Sequence, residues 1–411
     1  MREYLQKQVG EVLVEKTIAV KSEKCSRCGA DKEMIVIDAL GRYACRDCGS
    51  NSDMILYRYR QRLPLVEHRL DLNLQLTKWQ KRGSEFIIRC YLSHAHGFLQ
   101  AVCGAGKTEM TLAAICLALN RHIRVGFAIP RKQVVIQLSE RIKKYFPSSN
   151  VKAIHAEAKN DRDAHIVVMT IQQLVNYKDE FGLLLIDEVD AFPFADSPFY
   201  WRLANQALRA GGSLILISAT LTSALKRKLT KSGFRFHFNP ARFHGVDHDL
   251  PRFLQLSGSA LETILESILP ILKKWRLDSK RAILFLPSIA KCLAFASLLR
   301  KEGVKARAVT SETERKEAII HEFSAGNLDV LVSTSILERG ITFSGIQIAV
   351  LQADSPLYDR DTLIQMSGRV GRDLWEPRGE IWFLSEYLSP AMRKARAEIR
   401  MLNRRKNLGG D

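Results

Sequence analysis

The sequence predicts an α/β protein with two parallel-sheet lobes behind a small four-cysteine module. Two series of short apolar runs alternate with helical segments, the pattern of βαβ units with helices on both faces of a sheet. Between the two series lies 239–251, which contains prolines, glycine and histidines and is predicted to be a linker. We therefore expect domains at 1–65, 66–245 and 246–411.

The strands themselves are predicted from the apolar runs. In the first lobe they are 98–102, 125–129, 166–169, 183–186 and 214–217. In the second lobe they are 282–286, 306–309, 330–332, 346–351 and 381–384. The chain ends in a predicted helix with Met392, Ala395, Ile399 and Leu402 at helical spacing. Basic residues cover the rest of this helix, which leaves open whether it contacts phosphates or is only solvated.

The charge of the chain limits its class of partner. Lys and Arg outnumber Asp and Glu by 62 to 44, a formal net charge of +18 over 411 residues. Such an excess favours a polyanionic partner, nucleic acid or an acidic membrane surface, over a merely solvated basic surface. No apolar run approaches the ~20 residues of a membrane span, and the N-terminus lacks a secretory signal. We therefore expect a cytoplasmic protein without a transmembrane segment.

A glycine-rich loop between an apolar strand and an Ala/Leu-rich helix predicts a phosphate site. Its residues are Ala101, Val102, Cys103, Gly104, Ala105, Gly106, Lys107 and Thr108. Glycines let backbone N–H groups converge on phosphate oxygens at the start of a helix. Lys107 would reach the β- and γ-phosphates of ATP, and the Thr108 hydroxyl would bind Mg²⁺. Ala101 stands where the strict pattern has glycine, so the loop has the AxxGxGKT form.

Two adjacent carboxylates, Asp187 and Glu188, directly follow the apolar run 181–186. The carboxyl end of a parallel strand is where nucleotide sites form. Asp187 would hold Mg²⁺, and Glu188 would act as general base on the attacking water. Upstream of the loop, Gln80 is predicted to read the adenine edge with its amide.

Two arginines three positions apart, Arg369 and Arg372, are predicted to act from the second lobe. Arginine keeps its charge and matches phosphate oxygens bidentately. We assign both as arginine fingers that stabilise charge on the transferring γ-phosphate. Because Lys107 and Asp187 belong to the first lobe, this assignment makes catalysis depend on domain closure.

The N-terminal segment carries two CxxC pairs with zinc-ligand spacing. Cys25 and Cys28 are followed, after sixteen residues, by Cys45 and Cys48. Four thiolates leave no open coordination position, so the predicted Zn²⁺ is structural. Cys90, Cys103, Cys116 and Cys292 lack such spacing.

In their order along the chain, these elements resemble motifs 0, I, Ia, Ib, II, III, V and VI of superfamily 2 helicases. The resemblance covers roughly residues 70 to 385 and implies two RecA-like lobes with nucleic acid across both. It implies nucleic-acid contacts for Pro130, Arg131, Thr170 and Thr334. It implies coupling of hydrolysis to movement for Ser218, Thr220, Gln365, Arg339 and Gly340. The sequence continues Ile341-Thr342 where many members have an Asp that contacts the ribose, so that contact is unassigned.

The zinc module ahead of the motor core looks like the ComFA family of late-competence ATPases. The residues that carry this likeness include Asp187-Glu188-Val189-Asp190-Ala191-Phe192-Pro193 and Pro240-Ala241-Arg242-Phe243-His244. The family implies a single-stranded-DNA-stimulated ATPase that powers inward movement of transforming DNA. It also implies partnership with a ComFC-like protein, with DprA, and with the inner-membrane DNA channel at the inner face of the membrane.

Three other classes of protein share some of these sequence features. In a replication-restart DNA helicase of the primosomal type, zinc cysteines interrupt the motor core, whereas here they precede it. An RNA-remodelling DEAD-box ATPase is disfavoured by Val189 and by the residues before Gln80. A binding scaffold with a degenerate ATP site would be expected to have lost at least one of the catalytic side chains.

Overall fold

The computed structural model describes residues 12–60, 66–72, 75–156, 164–190, 193–194, 197–335 and 343–408. The chain forms two compact units. The first comprises Met1–Gln100 and Lys107–Phe238, and the second comprises Ala101–Gly106 and Asn239–Asp411. The first six residues of the predicted phosphate loop therefore belong to the second unit by their contacts.

The N-terminal module consists of two short antiparallel strand pairs. Its strands are β1 (Val12–Ile18), β2 (Ile35–Ile37), β3 (Tyr43–Cys45) and β4 (Ile55–Arg60). β1 pairs with β4, and β2 pairs with β3. Three of the four paired cysteines are buried in the same apolar cluster as residues of the first unit's sheet.

A seven-stranded sheet forms the centre of the first unit. Its strands are β5 (Gly97–Ala101), β6 (Val125–Ile129), β7 (Val151–Ile154), β8 (Ile166–Thr170), β9 (Phe181–Asp187), β10 (Leu208–Ser218) and β11 (Arg235–Asn239). They lie in the order β11-β5-β10-β9-β6-β8-β7, with the pairs from β5 to β7 parallel. The helices are α1 (Lys78–Leu92), α2 (Lys107–Leu119), α3 (Lys132–Tyr145), α4 (Pro198–Ala207) and α5 (Ser223–Lys231).

The second unit contains a six-stranded, wholly parallel sheet. Its strands are β12 (Arg252–Gln255), β13 (Arg281–Phe285), β14 (Ala306–Val309), β15 (Val330–Ser333), β16 (Ile346–Leu351) and β17 (Ile381–Ser385). Their order is β12-β17-β16-β13-β15-β14. The helices are α6 (Leu261–Leu277), α7 (Ile289–Lys301), α8 (Lys316–Ser324), α9 (Arg360–Ser367) and α10 (Pro390–Asn407).

The predicted fold class is confirmed, because all ten predicted strands are present and both sheets are parallel where they were expected to be. Central strands such as β6 and β16 are buried at every position, as their unbroken apolar sequences indicated. In the described parts of the two large sheets, three strands were missed: β7, β11 and β12. Each lies at an edge of its sheet, where a charged residue such as Lys152, Arg235 or Arg252 interrupts the apolar run.

Two further predictions concern the segment between the two sheets and the last helix. Of residues 239–251, predicted to be a linker, Asn239 ends β11 and residues 240–251 contain neither helix nor strand. α10 buries Met392, Ala395, Ile399 and Leu402, as their spacing predicted. Among the described residues, no helix is both long and apolar enough to cross a bilayer.

Candidate nucleotide site and zinc centre

The phosphate loop connects the end of β5 to the start of α2. Gly104 and Gly106 have φ angles of +78° and +75°, in the left-handed region that residues with a Cβ rarely adopt. These two turns bring the chain from the strand to the N-terminus of α2, where Lys107 begins the helix and Thr108 follows it. Helix N-termini favour anionic groups. The local structure is therefore compatible with the predicted phosphate site.

Lys107 and Asp187 face each other in the first unit. The Lys107 Nζ lies 3.9 Å from the Asp187 Oδ1. Burial raises the pKa of Asp187 to about 6; the Lys107 charge opposes this rise, and the neighbouring Glu188 adds to it. A buried carboxylate with a raised pKa beside an ammonium group is typical of a site that binds a cation or a charged ligand. The geometry suits the predicted Mg²⁺ ligand without testing it.

Glu188 combines a strained backbone with an unsatisfied side chain. Its φ is +56°, although it is not glycine, and its N–H donates to the Asp187 Oδ1 at 2.8 Å. Strain of this kind typically costs about 1–3 kcal/mol and is concentrated at functional sites. Within the part of the chain that the structure describes, the buried Glu188 Oε2 has no hydrogen-bond partner. A buried carboxylate oxygen without a donor is suited to accept a proton or to bind water, in line with the predicted general base.

A hydrogen bond joins the carboxylate segment to the segment after β10. The Thr220 hydroxyl donates to the Asp190 Oδ2 at 2.6 Å, and the Thr220 N–H donates to the Ser218 Oγ at 3.0 Å. Both Ser218 and Thr220 are buried. Asp190 was not among the predicted site residues. The signal for it was present, since it follows Glu188 by two positions at the same strand end.

Gln80 is buried in the first turn of α1, where it forms a reciprocal cap with Thr77. The Thr77 N–H donates to the Gln80 Oε1 at 3.0 Å, and the Gln80 N–H donates to the Thr77 Oγ1 at 3.3 Å. This capping box holds the carboxamide in one orientation. Its predicted contact with adenine remains a prediction.

The residues predicted to contact nucleic acid all lie at the carboxyl ends of strands or directly after them. Pro130 and Arg131 come after β6, Thr170 ends β8, and Ile129 is paired with Thr170 in the sheet register. In the second unit, Thr334 directly follows β15. Arg339 and Gly340, predicted to couple hydrolysis to movement, lie outside the described residues.

Two of the predicted second-lobe residues are deeply buried. Gln365 lies in the last turn of α9, and Arg369 is only 1% exposed. Arg372 is half-buried, and its Nε donates to the Gly368 carbonyl at 2.7 Å. Gly371, between the two arginines, has a φ of +64°.

Within the second unit, the phosphate-loop residues contact this arginine turn. A Cβ on Gly368 would lie 2.7 Å from the Cβ of Cys103, so only glycine fits there. A Cβ on Gly104 would lie 4.0 Å from the Arg372 Cγ, an ordinary van der Waals distance. The side chain of Arg372 is therefore held against the loop in which phosphate binding is predicted.

The four paired cysteines converge as a zinc site requires. Their Sγ atoms all lie within 4.8 Å of one another, and those of Cys25 and Cys48 and of Cys28 and Cys45 are 3.6 Å apart. Tetrahedral Zn²⁺ with Zn–S bonds of ~2.3 Å needs sulfur atoms ~3.8 Å apart. All four are free thiols. The cluster is therefore compatible with zinc.

The two halves of this zinc module, defined as residues 18–55, have the same backbone turn. The Gly29 N–H donates to the Cys25 carbonyl at 2.8 Å, and the Gly49 N–H donates to the Cys45 carbonyl at 2.9 Å. Both glycines have positive φ, +71° and +67°. Each CxxC pair is thus followed by a glycine whose N–H closes a tight turn back to the first cysteine of the pair.

Two side chains of α4, Arg202 and Gln206, attach the zinc module to this helix, and no sequence pattern predicts these contacts. The Arg202 Nε donates to the Cys28 carbonyl at 3.0 Å, and the Arg202 guanidinium pairs with Asp47. The Gln206 Nε2 donates to the Arg27 carbonyl at 2.7 Å. α4 is the next helix after Asp187 in the chain, so the helix that follows the carboxylate segment also binds the zinc module.

Comparisons with known proteins agree with this architecture. A family model described as "Type III restriction enzyme, res subunit" matches residues 73–222, and one described as "Helicase conserved C-terminal domain" matches residues 260–373. A solved structure of S. cerevisiae Dbp5 bound to RNA and ADP BeF3 aligns at a TM-score of 0.57 and 16% identity. The alignment covers 80% of this chain and 92% of that chain, and it shows the fold alone. The chain is therefore a superfamily 2 helicase-type, nucleic-acid-dependent ATPase with two RecA-like lobes.

Two relatives match along nearly the whole chain. Competence protein ComFA of Streptococcus pneumoniae is 32% identical over 410 residues, with 96% of this chain and 95% of that protein covered. Competence protein ComFA of Bacillus subtilis is 27% identical over 416 residues, with 96% and 89% covered. The chain belongs to the ComFA family of competence proteins.

Proposed function

We propose that this chain is an ATP-driven motor that moves along single-stranded DNA and powers DNA uptake during natural transformation. One observation carries the proposal: in a ComFA-family chain, Lys107 faces Asp187 next to the unsatisfied buried oxygen of Glu188. A binding scaffold would have no use for a strained glutamate with an unsatisfied carboxylate oxygen at a phosphate loop. The ComFA relatives supply the link to competence through their names.

The site residues divide the chemistry of hydrolysis among them. Lys107 neutralises charge on the β- and γ-phosphates, and Glu188 accepts the proton of the attacking water. Thr108 and Asp187 would hold Mg²⁺, which neutralises charge on the transferring phosphoryl group when it is bound. Arg369 and Arg372 stabilise the same charge in the transition state. Gln80 contributes to recognition of the adenine.

Movement on DNA requires that ATP binding and hydrolysis change the position of the DNA-contacting residues at the ends of the β-strands. The Thr220–Asp190 hydrogen bond links the carboxylate segment to the segment after β10, and Ser218 orients Thr220. Pro130, Arg131, Thr170 and Thr334 contact the sugar-phosphate backbone, which explains why the binding would tolerate any sequence. Gln365, Arg339 and Gly340 also couple ATP hydrolysis to movement.

The proposed motor also contains a structural zinc ion and acts with partner proteins. Cys25, Cys28, Cys45 and Cys48 hold one structural Zn²⁺. We propose a ComFC-like protein, DprA and the inner-membrane DNA channel as partners of a cytoplasmic motor at the inner face of the membrane. The replication-restart and RNA-remodelling alternatives are not favoured, since relatives that match along nearly the whole chain are competence proteins.

The test is ATP turnover with single-stranded DNA, duplex DNA and RNA, each at two salt concentrations. Salt must be varied because phosphate contacts make nucleic-acid affinity steeply salt-dependent. We expect single-stranded DNA to give the largest stimulation at both. Greater stimulation by RNA at both would favour the RNA-remodelling alternative and contradict the proposal.

A further inference from the structure

The segment between β11 and residue 244 runs along the phosphate loop. Within the second unit, the Val102 N–H donates to the Asn239 carbonyl at 3.2 Å, and the Phe243 N–H donates to the Gly104 carbonyl at 2.8 Å. The aliphatic part of Arg242 lies 3.7 Å from where a Cβ on Gly104 would be. The segment predicted as a linker is thus packed onto the loop in which phosphate binding is predicted.

The same segment also holds the turn between Arg369 and Arg372. The Gly371 carbonyl accepts two side-chain hydrogen bonds, from the Arg242 Nη1 at 3.3 Å and from the His244 Nε2 at 2.9 Å. The Val246 N–H donates to the His244 Nδ1 at 3.1 Å. His244 must therefore be the neutral tautomer with its proton on Nε2, since only this form can accept at Nδ1 and donate at Nε2.

Gly371 cannot be replaced by another residue without displacing the Arg242 guanidinium or the Pro377 carbonyl. Its φ is +64°, and a Cβ there would lie 2.6 Å from the Arg242 Nη1. The carbonyl that Arg242 and His244 hold belongs to the peptide bond that leads directly into Arg372. A shift of this peptide would therefore move Arg372.

Burying the charged side chain of Arg242 costs desolvation free energy. It is 1% exposed, and burial lowers its pKa to about 10; Asp249 opposes this effect, whereas the charge of Arg372 adds to it. Among the described residues, its Nε has no hydrogen-bond partner. An apolar side chain of similar volume would fill the same space more cheaply. Stability therefore does not explain why an arginine stands here.

We propose that Arg242 and His244 are positioning residues for Arg372: by holding the Gly371 carbonyl while packed on the phosphate loop, they set the place of the Arg372 guanidinium. They do not touch the nucleotide themselves. This inference rests on the proposed role of Arg372 in hydrolysis. It goes beyond that role because it assigns the alignment of the arginine to a segment outside the helicase motifs.

The test compares steady-state ATP hydrolysis of Arg242→Met, His244→Phe, Arg372→Ala and the double variant Arg242→Met/Arg372→Ala. Met removes the donor and the charge of Arg242 but keeps much of its volume. Arg252→Met is the matched control, because Arg252 is a largely exposed arginine of the same unit. Thermal unfolding of each variant is measured, and turnover is compared well below the lowest transition.

A misplacement of about 1 Å can cost about 100-fold in rate. We therefore expect Arg242→Met and His244→Phe each to lower kcat by about 10- to 100-fold, with the KM for ATP changed by less than about 3-fold. In the Arg372→Ala background, Arg242→Met should lower kcat by less than about 3-fold further, because its only catalytic effect acts through Arg372. Arg252→Met should resemble the wild type.

Two outcomes would overturn the inference while leaving the proposed function intact. One is normal kcat in both Arg242→Met and His244→Phe when Arg372→Ala is slow. The other is a full additional loss from Arg242→Met in the double variant, which would mean that the effect does not pass through Arg372. Normal turnover of Arg372→Ala would remove the role of Arg372 and this inference together.

Discussion

The hydrogen bond between Thr220 and Asp190 gives the sharpest test of coupling within the first unit. Thr220→Val removes the hydroxyl that donates to the Asp190 Oδ2 at 2.6 Å and changes the shape of the side chain very little. Thr220→Ser keeps the hydroxyl and removes only a methyl group. The pair therefore separates the hydrogen bond from the packing of the side chain, which is 7% exposed.

The expected magnitude follows from the chemistry of the pair. A hydrogen bond to a charged group typically contributes about 1.5–3 kcal/mol, and the bond is buried on the threonine side. Every 1.4 kcal/mol is tenfold, so the balance between coupled and uncoupled states should shift by about 10- to 100-fold. Because Lys107, Asp187 and Glu188 are untouched, basal ATP hydrolysis should change by less than about 3-fold.

The assay measures ATP turnover without nucleic acid and with saturating single-stranded DNA. Thr220→Val should keep the basal rate and lose most of the stimulation, whereas Thr220→Ser should retain it. Full stimulation of Thr220→Val would refute the role assigned to this hydrogen bond. An equal fall of both rates would instead assign Thr220 to hydrolysis itself.

Three further predictions concern the arginine, the zinc module and acid stability. Arg372→Ala should lower kcat by about 10³-fold or more with ATP binding retained, and the exposed Arg307→Ala should not; normal turnover of Arg372→Ala would contradict the finger role. Cys28→Ser should abolish binding of about one zinc per chain and lower the unfolding temperature, whereas Cys116→Ser should keep the metal; metal analysis decides between full and absent zinc. Burial lowers the pKa of five histidines, so the unfolded chain takes up more protons as the pH falls below about 6.5, and stability is lost with falling pH. The unfolding temperature should therefore be lower at pH 5.5 than at pH 7.5 at constant ionic strength, and an unchanged or higher value would refute the assignment. These histidines are His68, His96, His237, His244 and His248.

The sequence was sufficient to predict the centre of each sheet. β9 and β16 are buried apolar runs, and local hydrophobicity alone identifies such strands. β11 and β12 lie at edges, and their short sequences, Arg-Phe-His-Phe-Asn and Arg-Phe-Leu-Gln, mix apolar with charged or polar side chains. Propensity and pattern are weakest at such positions, because pairing with a neighbour decides the structure.

The site was predictable where a local rule applies. Parallel strands of one sheet end at the same edge, which is why Lys107 and Asp187 are expected to lie together, and they do so although β10 separates β5 from β9. No local rule connects Arg242 to Gly371, which is 129 positions later, or Arg202 to Cys28, 174 positions earlier. The prolines and glycine around Arg242 indicate a loop correctly, but they carry no information about its burial.

Translocation along single-stranded DNA is the central claim, and its most direct test uses strands of increasing length. Each strand carries a fluorophore at one end, and the delay before its signal changes is measured after ATP is added to the preformed complex. A motor predicts a delay that grows linearly with strand length and disappears in Lys107→Ala. A delay that is independent of length, with ATP turnover still stimulated, would contradict translocation.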